Sequence, residues 1–496
     1  MNQAVIKKWR QTAVSATLAA LLACVSLSAA AQQMSTVERA TELTKIRNEL
    51  RARDSFRNAD AVVVINERVI AEALRQFVGM EIALASGSVM KLTSIETQLV
   101  TGAAIVKIGV QSKSVNLQLS GLLTSGEIKV GPKGPVMRMP FRATEVKLLN
   151  GLISSVFIKT MFGTWLKPET WNDELPSLNL PLEINETMEI PASRFNVEGQ
   201  MPMEIATSAY HVPLKLSLTS LLLLDRRAVL VLQANSPATV NQSVSENVYA
   251  GSDPSALLNE IHQLGANLTA DGDVRLRLGR NVISSLLSQI AWQQNPDLKF
   301  KIKQGRLRSN EVKTVISIVN YTDITNGDGQ ADISELRVES IANDRVNLRL
   351  SGQGVIDAQI KGREYGVPYG FSPRTNFTVK DQPIPLQFVS ENGKVIMRAV
   401  AGSILPINLR FSVQVAGQEI SVSRTEAMQV DRWLNRIELP ALLNREILLP
   451  RRLEVDDGGN LRVTQKDRLS YTLSNLRAGT SDDAIEIAAQ VKVNPK

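Results

Sequence analysis

One long-period duplication constrains this chain more than any single motif, because it fixes what one half can be once the other is read. Val62-Val63-Val64-Ile65 reads as a strand and is followed by Val69, Ile70, Ala73, Leu74 and Phe77. Val274, Leu276 and Leu278 alternate as a strand and are followed by Val282, Ile283, Leu286, Leu287 and Ile290. Both apolar sets follow the i, i+1, i+4, i+5, i+8 spacing of a helix with one apolar stripe, so each half opens with a strand feeding an amphipathic helix. Farther on, Val115-Asn116-Leu117-Gln118-Leu119-Ser120-Gly121 recurs as Val346-Asn347-Leu348-Arg349-Leu350-Ser351-Gly352. Leu180-Pro181 and Ile190-Pro191 match Leu439-Pro440 and Leu449-Pro450, and each half closes on an apolar strand, 228–232 and 484–488. The order of the matches never changes, which predicts a tandem repeat.

Most of the remaining segments carry apolar residues on alternate positions with Thr, Ser, Lys or Gln between them, as in antiparallel sheets wet on one side. The expected fold class is α+β: two tandem repeats, each a long curved antiparallel β-sheet wrapped against an amphipathic helix. The expected boundaries are a signal peptide at 1–31, a charged and solvated tether or helix at 32–59, repeats at 60–245 and 268–496, and a connector at 246–267 with a short helix from Asp253 to Leu264. A further apolar segment, Leu148 to Leu166, reads as a helix too interrupted by Asn150, Ser154, Ser155 and Lys159 to span a bilayer.

Residues 1–31 run from Lys7, Lys8 and Arg10 through an apolar stretch to Ser28-Ala29-Ala30-Ala31, the order of a secretory signal with cleavage after Ala31. The expected location is the periplasm of a Gram-negative bacterium. Leu21-Leu22-Ala23-Cys24 offers an alternative, an outer-membrane lipoprotein acylated on Cys24. Removing the leader takes the formal charge from +7 to +4, too little and too dispersed for nucleic acid. Cys24 is the single cysteine and the chain has only two histidines, His211 and His262, neither in a nucleophile-elbow or zinc pattern. A non-enzymatic role follows, with a carboxylate-based hydrolase as the residual catalytic option.

Tandem units of this size, each an apolar-striped helix plus a long antiparallel sheet behind an export signal, resemble the tubular lipid-binding superfamily, which includes the bactericidal/permeability-increasing-like proteins. The resemblance is architectural, covers nearly the whole mature chain and transfers no functional residue. It implies a bound lipid and no other cofactor. Aromatic residues number 22 of 496, so the interior is aliphatic. An aliphatic slot accommodates hydrocarbon at about 0.8 kcal/mol per buried CH₂, whereas sugar and nucleobase sites draw on flat aromatic platforms. The candidate slot residues are the two helix stripes, Val69, Ile70, Ala73, Leu74 and Phe77 with Val282, Ile283, Leu286, Leu287 and Ile290; the alternative is that they pack a dry core.

Three other segments carry candidate chemistry. Asn326, Asp328, Asp332 and Glu335 nearly spell a calcium loop, but its first position is Ile324, and Asn326-Gly327 and Asp328-Gly329 equally suit a hairpin turn. Tyr365, Tyr369 and Phe371, punctuated by Gly366, Pro368 and Gly370, read as a loop that either caps the slot, touches a membrane or folds onto its own domain. Lys299, Lys301, Lys303, Arg306 and Arg308 interleave with Phe300 and Ile302, a basic stripe for anionic headgroups or for protecting an edge strand. The leading expectation is an exported protein that binds or shuttles an acyl-chain lipid, its partner a lipid or membrane surface. The alternative is an envelope interaction or assembly module with solid cores, its partner another envelope protein.

Overall fold

Ala61-Val62-Val63-Val64-Ile65 is apolar at every position, whereas Val274-Arg275-Leu276-Arg277-Leu278 alternates, and the two are hydrogen-bonded neighbours with Val63 opposite Leu276. Continuous apolar character suits a strand covered on both faces and alternation a strand wet on one; the sheet they share is built that way. The structure is a computed structural model. It describes residues 36–494 except 53–58, 84–88, 113–114, 125–126, 132–133, 140, 150–166, 169–177, 182, 191–192, 198–202, 208–209, 235–252, 270–271, 294–297, 314–316, 392–393, 416–417, 434–436, 439–445, 456–460 and 482. The leader, Cys24 and most of the helix expected at 148–166 therefore lie outside the described residues.

The first half contains α1 (Thr36–Ala52), β1 (Ala61–Asn66), α2 (Glu67–Arg75), β2 (Glu81–Ala83), β3 (Val89–Val100), β4 (Ala103–Ser112), β5 (Val115–Leu123), β6 (Glu127–Gly131), β7 (Gly134–Met139) and β8 (Phe141–Leu148). It continues with β9 (Leu178–Pro181), β10 (Glu183–Ile190), β11 (Ser193–Val197), β12 (Met203–Thr207), β13 (Tyr210–Leu224) and β14 (Arg227–Ala234). After α3 (Pro254–Leu264) come β15 (Val274–Gly279), α4 (Arg280–Gln293), β16 (Leu298–Ile302), β17 (Gly305–Lys313), β18 (Ser317–Ala342), β19 (Arg345–Glu364), β20 (Val367–Phe371) and β21 (Arg374–Glu391). The chain closes with β22 (Lys394–Ala399), β23 (Ile404–Val415), β24 (Gln418–Gln429), the single turn α5 (Val430–Trp433), β25 (Ile437–Glu438), β26 (Glu446–Val455), β27 (Leu461–Ser481) and β28 (Ala484–Asn494).

The largest sheet runs β10-β13-β14-β1-β15-β28-β27-β26-β2-β3-β4-β5-β8. Its first eight strands are arranged symmetrically about the β1–β15 pair: a strand feeding a helix, then a hairpin (β13–β14 or β27–β28), then one further strand. A second sheet runs β11-β12-β16-β18-β19-β21-β22-β25, with β17 on β18 and β20 on β19. The two halves interlock, because β2 pairs in parallel with β26 and β12 pairs with β16. Val115 and Val346 both lie at the start of the second strand of a hairpin, β4–β5 and β18–β19, but in different sheets.

One face of the central strands closes two apolar cores. Ala61, Ala228 and Leu232 join α2 and β3–β5 in the first. Ile485 and Ile487, with half-buried Leu276, join β18, β19 and β21 in the second. On the opposite face the halves differ. Val62, Val64, Val229 and Val231 are roofed by Ala40, Leu43, Ile46 and Leu50 of α1 and by Leu257 and Ile261 of α3, so the segment expected to be a charged, solvated tether or helix is a helix whose apolar side packs as a cover. Its apolar residues fall every three or four positions beneath a charged exterior. Beyond β1 that face turns polar, with Arg275 bonded to Glu486 at 2.6 Å and Arg277 beside it.

Aromatic rings in the second sheet lie over glycines on the adjacent strand. Phe300 is paired with Gly329, Phe377 with Gly354 and Tyr369 with Gly362. A Cβ at Gly354 would come 2.3 Å from the Phe377 ring, so only glycine admits the contact. Such pairs fill the gaps that let long strands curl.

Candidate functional site

α4 is the element that sets the geometry of the second interior. Arg280 at its first position donates to the Val338 carbonyl at 3.2 Å and pairs with Asp483 at 3.4 Å, and Asp483 also accepts the Ile341 N–H at 3.1 Å. These bonds pin α4 against the end of β18, so its apolar stripe lies along the strand. Val282 is fully buried, but Ile283 and Leu287 are only half-buried, as are Ala331, Ile333 and Leu336 of β18, all packed on the second core. An inward-facing aliphatic strip thus remains partly open to solvent. Leu286 and Ile290 lie in α4, and their side chains are outside the described residues.

The corresponding stripe on α2 is more closed. Leu74 and Phe77 are buried in the first core, Ile70 packs on it half-buried, and Val69 and Ala73 are also half-buried. The helix starts at Asn66, whose side chain accepts the Arg68 N–H at 3.0 Å. Arg68 reaches across to Asp273 with a two-pronged contact and donates to the Val491 carbonyl at 3.3 Å, while Asp273 accepts the Val491 N–H at 2.8 Å. Asp273 is 6% exposed while Arg68 is half-exposed, so this clamp sets a buried carboxylate under a guanidinium that reaches solvent, and it joins the halves. The bond to Asp273, opposed only in part by burial, raises the Arg68 guanidinium further above its ordinary value. Beside it a cleft of about 520 Å³ opens between α2 and the β27–β28 hairpin, lined by Arg68, Glu72, Arg75, Gln76, Gln490 and Lys492 among others. No sequence motif pointed to this clamp, since its partners are more than two hundred positions apart.

The remaining candidates are placed differently from expectation. Asn326, Asp328, Asp332 and Glu335 lie along the single strand β18, neither in a loop nor at a turn. At about 3.3 Å per residue they spread over roughly 25–30 Å, and their oxygens do not converge on one cation. Among the described residues no group of three or more His, Cys, Asp and Glu is placed to hold a metal. The aromatic segment is a strand rather than a loop. Tyr365 sits exposed in the turn, while Tyr369 and Phe371 of β20 turn inward, stacked at 6.1 Å, with the Tyr369 hydroxyl 2.5 Å from that of Thr322. The basic stripe is split: Lys299 and Lys301 lie on β16, which is flanked by β12 and β18, whereas Arg306 and Arg308 lie on β17, which among the described residues pairs with β18 alone and so is an edge. Lys299, Lys301 and Lys303 are exposed while Phe300 and Ile302 are buried, and Arg306 is held by Asp323 at 2.7 Å; the side chain of Arg308 is outside the described residues.

His262 on α3 contacts Asp225 at 2.8 Å, and the same carboxylate accepts the Thr101 N–H and hydroxyl at 2.7 and 2.9 Å. Burial works against the charged carboxylate, but the Thr101 and His262 bonds outweigh it and hold Asp225 below the usual range. The Thr101 hydroxyl donates to one carboxylate oxygen and His262 meets the other, so the group ties the β3–β4 and β13–β14 turns to α3. His211 is on β13 opposite Glu189.

No protein-family model matches the chain, and no curated protein matches it. One solved structure that aligns with it is the crystal structure of lipopolysaccharide binding protein, at 13% identity over 88% of this chain and 99% of that one, with a TM-score of 0.22. A score that low transfers neither fold nor ligand.

Proposed function

We propose that the chain is an exported, non-enzymatic protein of the cell envelope that binds or shuttles an acyl-chain lipid in the aliphatic interior of its second half. The observation that carries this reading is the half-open strip between α4 and β18, where Ile283, Leu287, Ala331, Ile333 and Leu336 face inward without being sealed. Five neighbouring aliphatic side chains left partly wet forfeit burial worth about 25 cal/mol per Å², and a hydrocarbon chain laid along them restores it. The lining is aliphatic, which suits a flexible chain better than a flat ring.

The reading includes two tandem copies, 60–245 and 268–496, behind a leader at 1–31. The symmetric strand order about β1 and β15, each followed directly by a helix, supports it.

The test is lipid extraction and mass spectrometry on protein purified without detergent, with uptake of a fluorescent fatty acid by the parent and by Leu287→Trp. An occupied strip predicts stoichiometric lipid, and loss of uptake in the variant with a nearly unchanged melting temperature. A dry core predicts no lipid and an overpacking cost of about 1–3 kcal/mol, which would sink the proposal and favour a protein-binding module.

A further inference from the structure

Seven large apolar side chains stand exposed among the described residues, and three of them meet at one end of the second sheet. Tyr365 is 69% exposed, Val367 66% and Val319 50%. Carrying the Tyr321–Arg363 register two residues outward places Val319 across from Tyr365, and β20 begins with Val367 paired to Glu364. The turn between β19 and β20 is a tight one, with Tyr365 at φ +46 and Gly366 at φ +85. Asn is the residue such a position favours. A tyrosine held there, its N–H donated to the Asn320 side chain at 2.9 Å, spends conformational energy to keep a ring in the open.

Directly behind the apolar tip stand cations. Lys361 and Arg363 share the outward row of β19 just before the Tyr365 turn, both exposed and both without a partner among the described residues, and the half-buried Glu364 lies between Arg363 and Tyr365. Asp323, opposite Lys361, is already taken by Arg306 at 2.7 and 3.1 Å. Glu311 and Lys313, across from Val319 and Ser317, cancel in formal charge. Arg363 precedes Tyr365 by two residues, at most about 7 Å of chain, which is within the depth of a headgroup layer.

We propose that this end of the second sheet docks on an anionic lipid bilayer, Tyr365, Val367 and Val319 entering the interfacial zone and Lys361 and Arg363 meeting the phosphates. Tyrosine is favoured at that boundary, and unpaired Lys and Arg next to an anionic surface add attraction. The patch is a projecting hairpin end rather than a groove, a shape that suits a soft surface. This docking goes beyond lipid uptake and does not depend on it.

Co-sedimentation tests it, using vesicles of phosphatidylcholine alone and of equal parts phosphatidylcholine and phosphatidylglycerol. The parent binds both, the anionic vesicles more tightly. Y365N/V367S, in which Asn suits the positive φ and the melting temperature is expected to hold, loses about tenfold or more on both. K361Q/R363Q loses about fivefold per residue on the anionic vesicles only, a difference that high salt erases. A parent that binds neither vesicle, or a Y365N/V367S protein that binds as the parent does, overturns the proposal. Fatty-acid uptake by Y365N/V367S stays at the parent's level, so this proposal and the lipid-binding one fail separately.

Discussion

Leu50 and Arg51 are consecutive on α1 and have opposite surroundings, which turns the roof over the first half into a quantitative test. Leu50 has no exposed surface and belongs to the cluster between α1, α3 and the outer faces of β1 and β14. Arg51 is 59% exposed and pairs with Glu260 at the rim. Leu50→Ala removes buried methyl groups and leaves a cavity, at a cost of about 2–5 kcal/mol. Arg51→Ala loses an exposed ion pair worth about 0–1 kcal/mol. Urea unfolding gives the global effect, but a cover can lift without the sheets opening, so hydrogen exchange of the α1 and α3 amides is the sharper assay. At 1.36 kcal/mol per factor of ten, protection in Leu50→Ala falls by about thirtyfold to several thousandfold, while Arg51→Ala stays within about fivefold. If both variants lie within about 0.5 kcal/mol of the parent, α1 is a solvated tether and the roof does not exist.

Three further outcomes follow from the same contacts. Asp273→Ala strips the Arg68 guanidinium and the Val491 N–H of their shared acceptor; Arg68 is half-exposed and can be hydrated, so the cost in denaturant unfolding is that of the buried N–H, about 1–3 kcal/mol, and a cost below about 0.5 kcal/mol would mean water replaces the carboxylate. Gly354→Ala drives a methyl into the Phe377 ring and destabilises by about 1–3 kcal/mol, and the same change paired with Phe377→Leu recovers part of the loss if the ring is the obstacle. Asp225, held below its ordinary value chiefly by Thr101 against the opposing effect of burial, adds stability above the unfolded carboxylate range and loses it as the pH falls through the folded value. Melting curves should therefore show Asp225→Asn less stable than the parent at neutral pH, with the gap closing in acid; a gap independent of pH refutes the linkage.

What the sequence made legible was local. The strand-to-helix openings at 61–75 and 274–293 followed from spacing, and the contrast between Val62-Val64 and Arg275-Arg277 already encoded which half of the shared sheet is roofed. A helix is one of two readings of 32–59, but its roofing role is hidden by its charge, although Ala40, Leu43, Ile46 and Leu50 carry the period. Asn326-Gly327 and the glycine-punctuated Tyr365-Gly366 both suit a break in a strand, yet β18 runs through the first and the chain reverses at the second. The difference is imposed by cross-strand partners: Gly329 accepts the Phe300 ring and Gly327 the Ile302 side chain, contacts that no local pattern announces. The Arg68–Asp273 clamp and the Asp225 group were invisible for the same reason, being made of residues ordinary in themselves and distant in the chain.

The parallel pairing of Glu81–Ala83 with Arg452–Glu454 joins segments 371 positions apart, as Arg452 and Glu81 show. A growing chain therefore cannot finish the sheet of its first half until nearly all of its residues have been made, and β2 waits with one edge unpaired in the meantime. Loops that long close slowly and leave strand edges open to the wrong partner. The molecule should then refold far more slowly than its helices form, and the half-built first sheet, rather than any native surface, is where a chaperone would have to bind.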